Sequence, residues 1–135
     1  MIAHTQTMNS TLKTILIIFA GSGIGGVARY GMQTWVFRIY PFTFPLGTFI
    51  VNTIGCFLIG LFYALSEKGN LLSPEWRLAV TTGLCGGFTT FSTFAYENMN
   101  LLRTGDYLYF GLYAAGSVIL GIAIVYVGIF TIKYL

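Results

Sequence analysis

Four long apolar stretches, residues 12–37, 46–65, 76–102 and 107–132, take up most of this chain. A helix crosses the ~30 Å hydrocarbon core of a bilayer with about 20 apolar residues, so each stretch is long enough to span it. In lipid no water can satisfy exposed peptide groups, and a spanning segment must bond its own backbone, as a helix does. The links between the stretches carry the punctuation: "RIYPFTFP" holds two prolines, "SEKGNLLSPE" holds charges and a Ser-Pro, and "RTGD" makes a tight turn. Links this short make successive spans antiparallel. The expected fold is an all-α, multi-pass membrane protein: one unit over residues 1–135 with four transmembrane helices, in the cell's inner (plasma) membrane.

Composition supports that class. Only 8% of residues are charged and 56% are hydrophobic, against about 25% charged in soluble domains. The basic residues Lys13, Arg29, Arg38, Lys68, Arg77, Arg103 and Lys133 are scattered, so the net charge of +3 forms no patch for nucleic acid. Lys13 followed by an apolar run ending in "FAGSG" has the outline of a signal peptide. The apolar character continues past those small residues, which makes the segment a span. Cys56 and Cys85 lie within apolar stretches and read as small hydrophobes. The one histidine, His4, sits in a polar N-terminal tail without a companion at metal-ligand spacing. No Ser/His/Asp set is present either, so the chain is not expected to be an enzyme.

"GSGIGG" at 21–26 matches G-x-G-x-x-G, but that pattern binds dinucleotides only between a strand and a helix. Inside a span, Gly21 and Gly25 instead form a small-xxx-small face for close helix packing. Gly55, Gly60, Gly111, Gly116 and Gly121 are assigned the same purpose.

A strongly polar side chain at membrane depth is costly and faces protein or water. Arg29, Asn52 and Glu97 are such residues. Arg29 either draws anions into a vestibule or snorkels to the interface. Asn52 offers amide donors to a pathway or bonds a neighbouring helix. Glu97 is expected to pair with Arg103 or to cap a helix. The third stretch is the most unusual: Gly83, Gly86 and Gly87 weaken helix continuity where Thr89, Thr90, Ser92 and Thr93 compete for backbone hydrogen bonds. The spacing predicts a helix broken at mid-membrane. Irregular backbone at that depth is tolerated where it is buried in protein or lines a watery cavity, and freed carbonyls and a half-helix N-terminus there can hold ions. Phe91 and Phe94, three apart, share a helical face. Their positive ring edges can favour a small anion.

At these residues the chain resembles the Fluc (CrcB) family of fluoride channels. The likeness rests on "GTFIVNTIGCFLIG" at 47–60, "TTGLCGGFTTFSTFAYE" at 81–97 and Arg29 late in the first span. The resemblance implies an antiparallel, dual-topology homodimer with two fluoride pores and a central structural sodium ion (Na+). The sodium would be held by backbone carbonyls of Gly86 and Thr89. The pore would be lined by Asn52, Phe91 and Phe94, with Ser92, Thr93, Tyr113 and Ser117 as a track of hydroxyl donors and Arg29 in the vestibule. Some relatives carry a further serine one turn beyond Ser117, where this chain has Gly121. The partners implied are fluoride, the lipid bilayer and a second copy of the chain.

The function so implied is passive, fluoride-selective efflux that protects against fluoride toxicity. Fluoride is small and strongly hydrated, so a pore must replace its lost water with donors that bind without trapping it. No nucleotide motif is present, and the first and second spans hold no carboxylate to couple proton entry. The alternative, a small multidrug or guanidinium-type exporter, wants a carboxylate in the first span. Charge counting adds a separate expectation. Lys13, Lys68, Lys133 and Arg77 on one side face Arg29, Arg38 and Arg103 on the other, which is almost no positive-inside bias, so the chain should insert in both orientations.

Overall fold

The computed structural model describes the backbone of residues 2–68 and 71–134, and side chains from Ser10 onward. Those residues form helices and connecting turns, with no strand among them. The chain runs α1 (Ile2–Ile39), α2 (Leu46–Glu67), α3 (Pro74–Leu78), a π-helical segment (Ala79–Cys85), α4 (Gly86–Phe88), α5 (Phe91–Thr104) and α6 (Tyr107–Lys133). The N-terminal residues expected as a polar tail continue α1 back to Ile2.

Three helices are long and apolar enough to cross a membrane unaided. They are Ser10–Ile39 within α1, Leu46–Glu67 and Tyr107–Lys133, with mean hydropathies of 1.6, 1.9 and 2.3. The third stretch, 76–102, is delivered in pieces. Ser73 starts it as an N-cap, its hydroxyl accepting from the Trp76 N–H, with Pro74 in the first turn where its missing N–H costs nothing. The Gly86 N–H then reaches back to the Thr81 carbonyl, widening the ladder into the π-helical form. Gly105 closes α5 in the left-handed conformation (φ 81°), and the Asp106 N–H bonds the Leu101 carbonyl at 2.9 Å.

Close backbone approach holds the helices together, as expected where lipid provides no hydrophobic drive between them. A Cβ added at Gly21 would lie 2.6 Å from the Ala79 carbonyl oxygen, and one at Gly25 would collide with the Leu84 carbonyl. The small-xxx-small face thus packs α1 on the third stretch. Gly60 meets Val125 in the same way, joining α2 to α6, and Gly128 meets Phe57 although the sequence reading passed over it. Two assignments are corrected. Gly111 has nothing within 4 Å, and Gly116 touches only the ring of Phe49 at an ordinary 3.9 Å, because both lie on faces of α6 turned away from a close neighbour. Val51 and Tyr113 are fully buried, while Phe19, Val27, Leu108 and Ile122 project outward with the other large apolar side chains of a lipid-facing surface.

Candidate functional site

The helix breaks at Thr89 and Thr90, both in extended conformation. Asn52, on α2, closes the gap from outside. Its Oδ1 accepts from the Thr90 N–H at 2.9 Å, and its Nδ2 donates to the Thr90 carbonyl at 3.2 Å. One amide side chain therefore satisfies both backbone groups of the break, which would otherwise be stranded away from water. The close fit of α2 here requires Gly55, since a Cβ there would collide with the Thr89 methyl group. Thr90 also caps α5: its hydroxyl accepts from the Thr93 N–H at 3.2 Å and donates to the Thr93 hydroxyl at 2.9 Å.

These bonds redirect two donors. In an unbroken helix the Thr90 N–H would serve the Gly86 carbonyl and the Thr93 N–H the Thr89 carbonyl. Here the first is given to Asn52 and the second to the Thr90 hydroxyl. The Gly86 and Thr89 carbonyls thus lose their usual helical donors. The Arg29 Nη1 donates to the Thr89 carbonyl oxygen at 3.5 Å.

A cavity of about 360 Å³ borders the break, lined by Asn52, Gly86, Thr89, Phe91, Phe94 and Ser117 among others. Six residues singled out in the sequence therefore meet at one place. The Phe91 and Phe94 rings are 5.7 Å apart and inclined at 40°. Phe91 is 80% exposed in the single chain. The Ser117 hydroxyl is buried without a hydrogen-bond partner among the described residues, a donor free for something in the cavity. Cys56 and Cys85 also line it as free thiols.

Three sequence candidates lie elsewhere. Ser92 is exposed, its hydroxyl 3.4 Å from that of Thr90. Tyr113 stands behind Phe94, with ring centroids 5.0 Å apart, and Thr93 borders a second cavity of about 450 Å³ at the α1–α2 end of the bundle. That second cavity also holds Glu97, whose expected pairing with Arg103 is not what the structure shows. Its Oε1 accepts from the Thr48 hydroxyl at 2.8 Å and its Oε2 from the Tyr113 hydroxyl at 2.7 Å. Glu97 faces α2 and α6, whereas Arg103 lies in the exposed last turn of α5. Gln33 completes the cluster by donating to Thr48 at 3.0 Å. Thr48 and Gln33 were missed. Their signal was a polar side chain inside an apolar stretch, the same criterion that picked out Asn52.

The chain is 48% identical over 118 residues to the fluoride-specific ion channel FluC of Phocaeicola vulgatus, covering 87% of this chain and 97% of that one. It is 48% identical over 120 residues to the protein of the same name from Chlorobaculum tepidum, covering 87% and 92%. To that of Leptospira interrogans serogroup Icterohaemorrhagiae serovar copenhageni it is 41% identical over 121 residues, covering 90% and 95%. The family described as CrcB-like protein, Camphor Resistance (CrcB), matches residues 16–129. A match of that extent means that the chain belongs to the CrcB-like family.

Proposed function

We propose that the chain is the subunit of a fluoride-selective channel through which fluoride leaves the cell passively, and that it is no enzyme. The observation that carries this reading is the cavity at the break, where Asn52, Phe91, Phe94 and the partnerless Ser117 hydroxyl meet. Amide and hydroxyl donors, with the positive edges of phenyl rings, suit a small anion that has shed water, and none adds a fixed charge that would trap it. The name of the relatives, fluoride-specific ion channel, supports the same conclusion. The exporter alternative finds no support, since α1 carries no carboxylate.

In this reading the third stretch is a fourth crossing, and two chains associate antiparallel in the plasma membrane. The outward Phe91 ring supports such a partner, because a ring that lines a pore needs a wall on its other side. The even distribution of basic residues supports insertion in both orientations. The Gly86 and Thr89 carbonyls, deprived of their helical donors, suit a sodium ion held between two copies, where each copy would supply two hard oxygen ligands. Ser92, Thr93 and Tyr113 would complete the donor track, with Arg29 at its mouth.

Fluoride efflux from proteoliposomes, followed with a selective electrode, tests the reading. Fast fluoride efflux with chloride retained is the expected result; comparable chloride efflux overturns the selectivity. Replacing sodium by N-methylglucamine should slow efflux, and full activity in sodium-free buffer would remove the cation from the account.

A further inference from the structure

Lys13 and Glu75 stand apart from the break and from both cavities described above. Lys13 on α1 donates from Nζ to the Glu75 Oε1 on α3 at 3.4 Å, the one ion pair among the described residues. Ser73 caps α3 beside it, so the pair sits where a crossing begins. Exposed ion pairs contribute little to stability, and folding alone does not account for this one. A cavity of about 320 Å³ lies against it, lined by Lys13, Ser73, Glu75 and Trp76 with Ile17 and Ala79. Trp76 is 65% exposed at this level, the place of an interfacial aromatic. A second cavity, of about 480 Å³, is lined by Leu12, Leu16 and Ala20 and shares Lys13 and Ile17 with the first. Leu12, Leu16 and Ala20 are four apart, so they stack on one face of α1. They carry an apolar groove about 12 Å along the helix, from the level of the ion pair into the bilayer.

We propose that the two cavities together hold one phospholipid of the phosphatidylethanolamine class, its headgroup on the ion pair and an acyl chain in the groove. Such a headgroup carries a phosphate and a primary ammonium a few atoms apart. The phosphate accepts from the Lys13 ammonium, while the lipid's own ammonium donates to the Glu75 carboxylate and meets the face of the Trp76 ring. Four charges then alternate in sign, and none is left facing a like charge. An anionic headgroup such as phosphatidylglycerol would satisfy Lys13 but set its charge against Glu75. The quaternary ammonium of phosphatidylcholine has no proton to give the carboxylate. The pairing of a polar pocket with an apolar groove through Lys13 and Ile17 matches the two parts of a single lipid. The site needs only the membrane placement of α1 and stands whether or not the chain conducts fluoride.

Native mass spectrometry of the full-length protein in detergent tests the site. The protein is offered equal amounts of phosphatidylethanolamine, phosphatidylglycerol and phosphatidylcholine with the same acyl chains, and the lipids that stay bound are counted. The wild type should retain phosphatidylethanolamine over each of the others by roughly threefold or more. Glu75→Gln removes the partner of the lipid ammonium and frees Lys13, so the preference should turn toward phosphatidylglycerol. Lys13→Ala removes the partner of the phosphate and should lower retention of phosphatidylethanolamine to that of the other two. Both side chains are exposed, and melting temperatures near that of the wild type would show that the variants are folded. Equal retention of the three lipids by the wild type would mean ordinary surrounding lipid and overturns the proposal. A wild-type preference for phosphatidylglycerol or phosphatidylcholine overturns it as well, as does a preference for phosphatidylethanolamine that survives in Glu75→Gln.

Discussion

α6 and the third stretch are both built to cross the same apolar layer, and they do so in opposite ways. α6 is one helix from Tyr107 to Lys133 with a mean hydropathy of 2.3. Within it Thr131 serves its own backbone, donating to the Val127 carbonyl at 2.8 Å, and Tyr113 is buried. The third stretch is divided into α3, a π-helical segment, α4 and α5, with Thr89 and Thr90 extended between the last two. The difference teaches a rule about backbone in lipid. A helix that satisfies its own peptide groups needs its neighbours only for packing, whereas a broken one exists only where a neighbour supplies the missing bonds. Asn52 supplies them here.

Removing that supply should have the largest effect. Asn52→Leu keeps the bulk of the side chain but strands the Thr90 N–H and carbonyl. At about 1–3 kcal/mol for each buried unsatisfied group, the loss is roughly 4 kcal/mol, and fluoride efflux should vanish with it. A melting temperature in detergent close to that of the wild type would show that the break does not depend on the clamp.

Next come the rings beside the break. Phe91→Ile and Phe94→Ile keep bulk while removing the ring quadrupole, so efflux should collapse although the protein still folds and assembles. Unchanged efflux in both variants would reduce the phenylalanines to packing. A further pair of substitutions contrasts the surroundings of the two crossings, one glycine packed against the third stretch and one on α6. Gly25→Ala places a methyl group against the Leu84 carbonyl where α1 meets the third stretch, and overpacking of that kind costs about 1–3 kcal/mol. Gly111→Ala on α6 meets nothing and should stabilise the helix by roughly 0.5–1 kcal/mol. Equal melting temperatures for the two would erase the contrast.

The smallest effect is expected at the start of the third stretch. Glu75, just outside the span, has its carboxyl held below the usual carboxylate range by its own backbone N–H and by Lys13, 3.4 Å away. A depressed value in the folded state stabilises the protein above the ordinary carboxylate pKa, and this is lost as the pH falls through the lowered one. The pair is fully exposed and screened by salt, so Glu75→Gln should change the melting temperature little at neutral pH and only flatten its decline in acid. A large change at neutral pH would mean that the pair anchors α3.

The weakness of the third stretch was legible because its cause is local. Glycines and hydroxyl side chains lower helix stability whatever surrounds them. The π-helical widening at Ala79–Cys85 was not legible, since it depends on how the Gly86 N–H is drawn to Thr81 once α1 packs against this segment. Asn52, Phe91, Phe94 and Ser117 were all identified, and they do meet in one cavity. For Glu97 the expected alternatives were Arg103 and a helix cap; its partners are Thr48 and Tyr113, which come to it through the packing of α2 and α6 on α5.

What the sequence by itself determined is the solvent and therefore the class of fold. Apolar stretches of this length and this scarcity of charge leave only helices crossing lipid, because hydrophobicity and backbone bonding are properties of each segment alone. What only the tertiary structure decided is which polar group answers which. Asn52 meets Thr90, and Glu97 meets the Thr48 and Tyr113 hydroxyls, across separations of 38, 49 and 16 residues. Partners of that kind are chosen by the packing of one helix on another. That packing depends on where glycines let backbones close to contact, and no single segment carries that information.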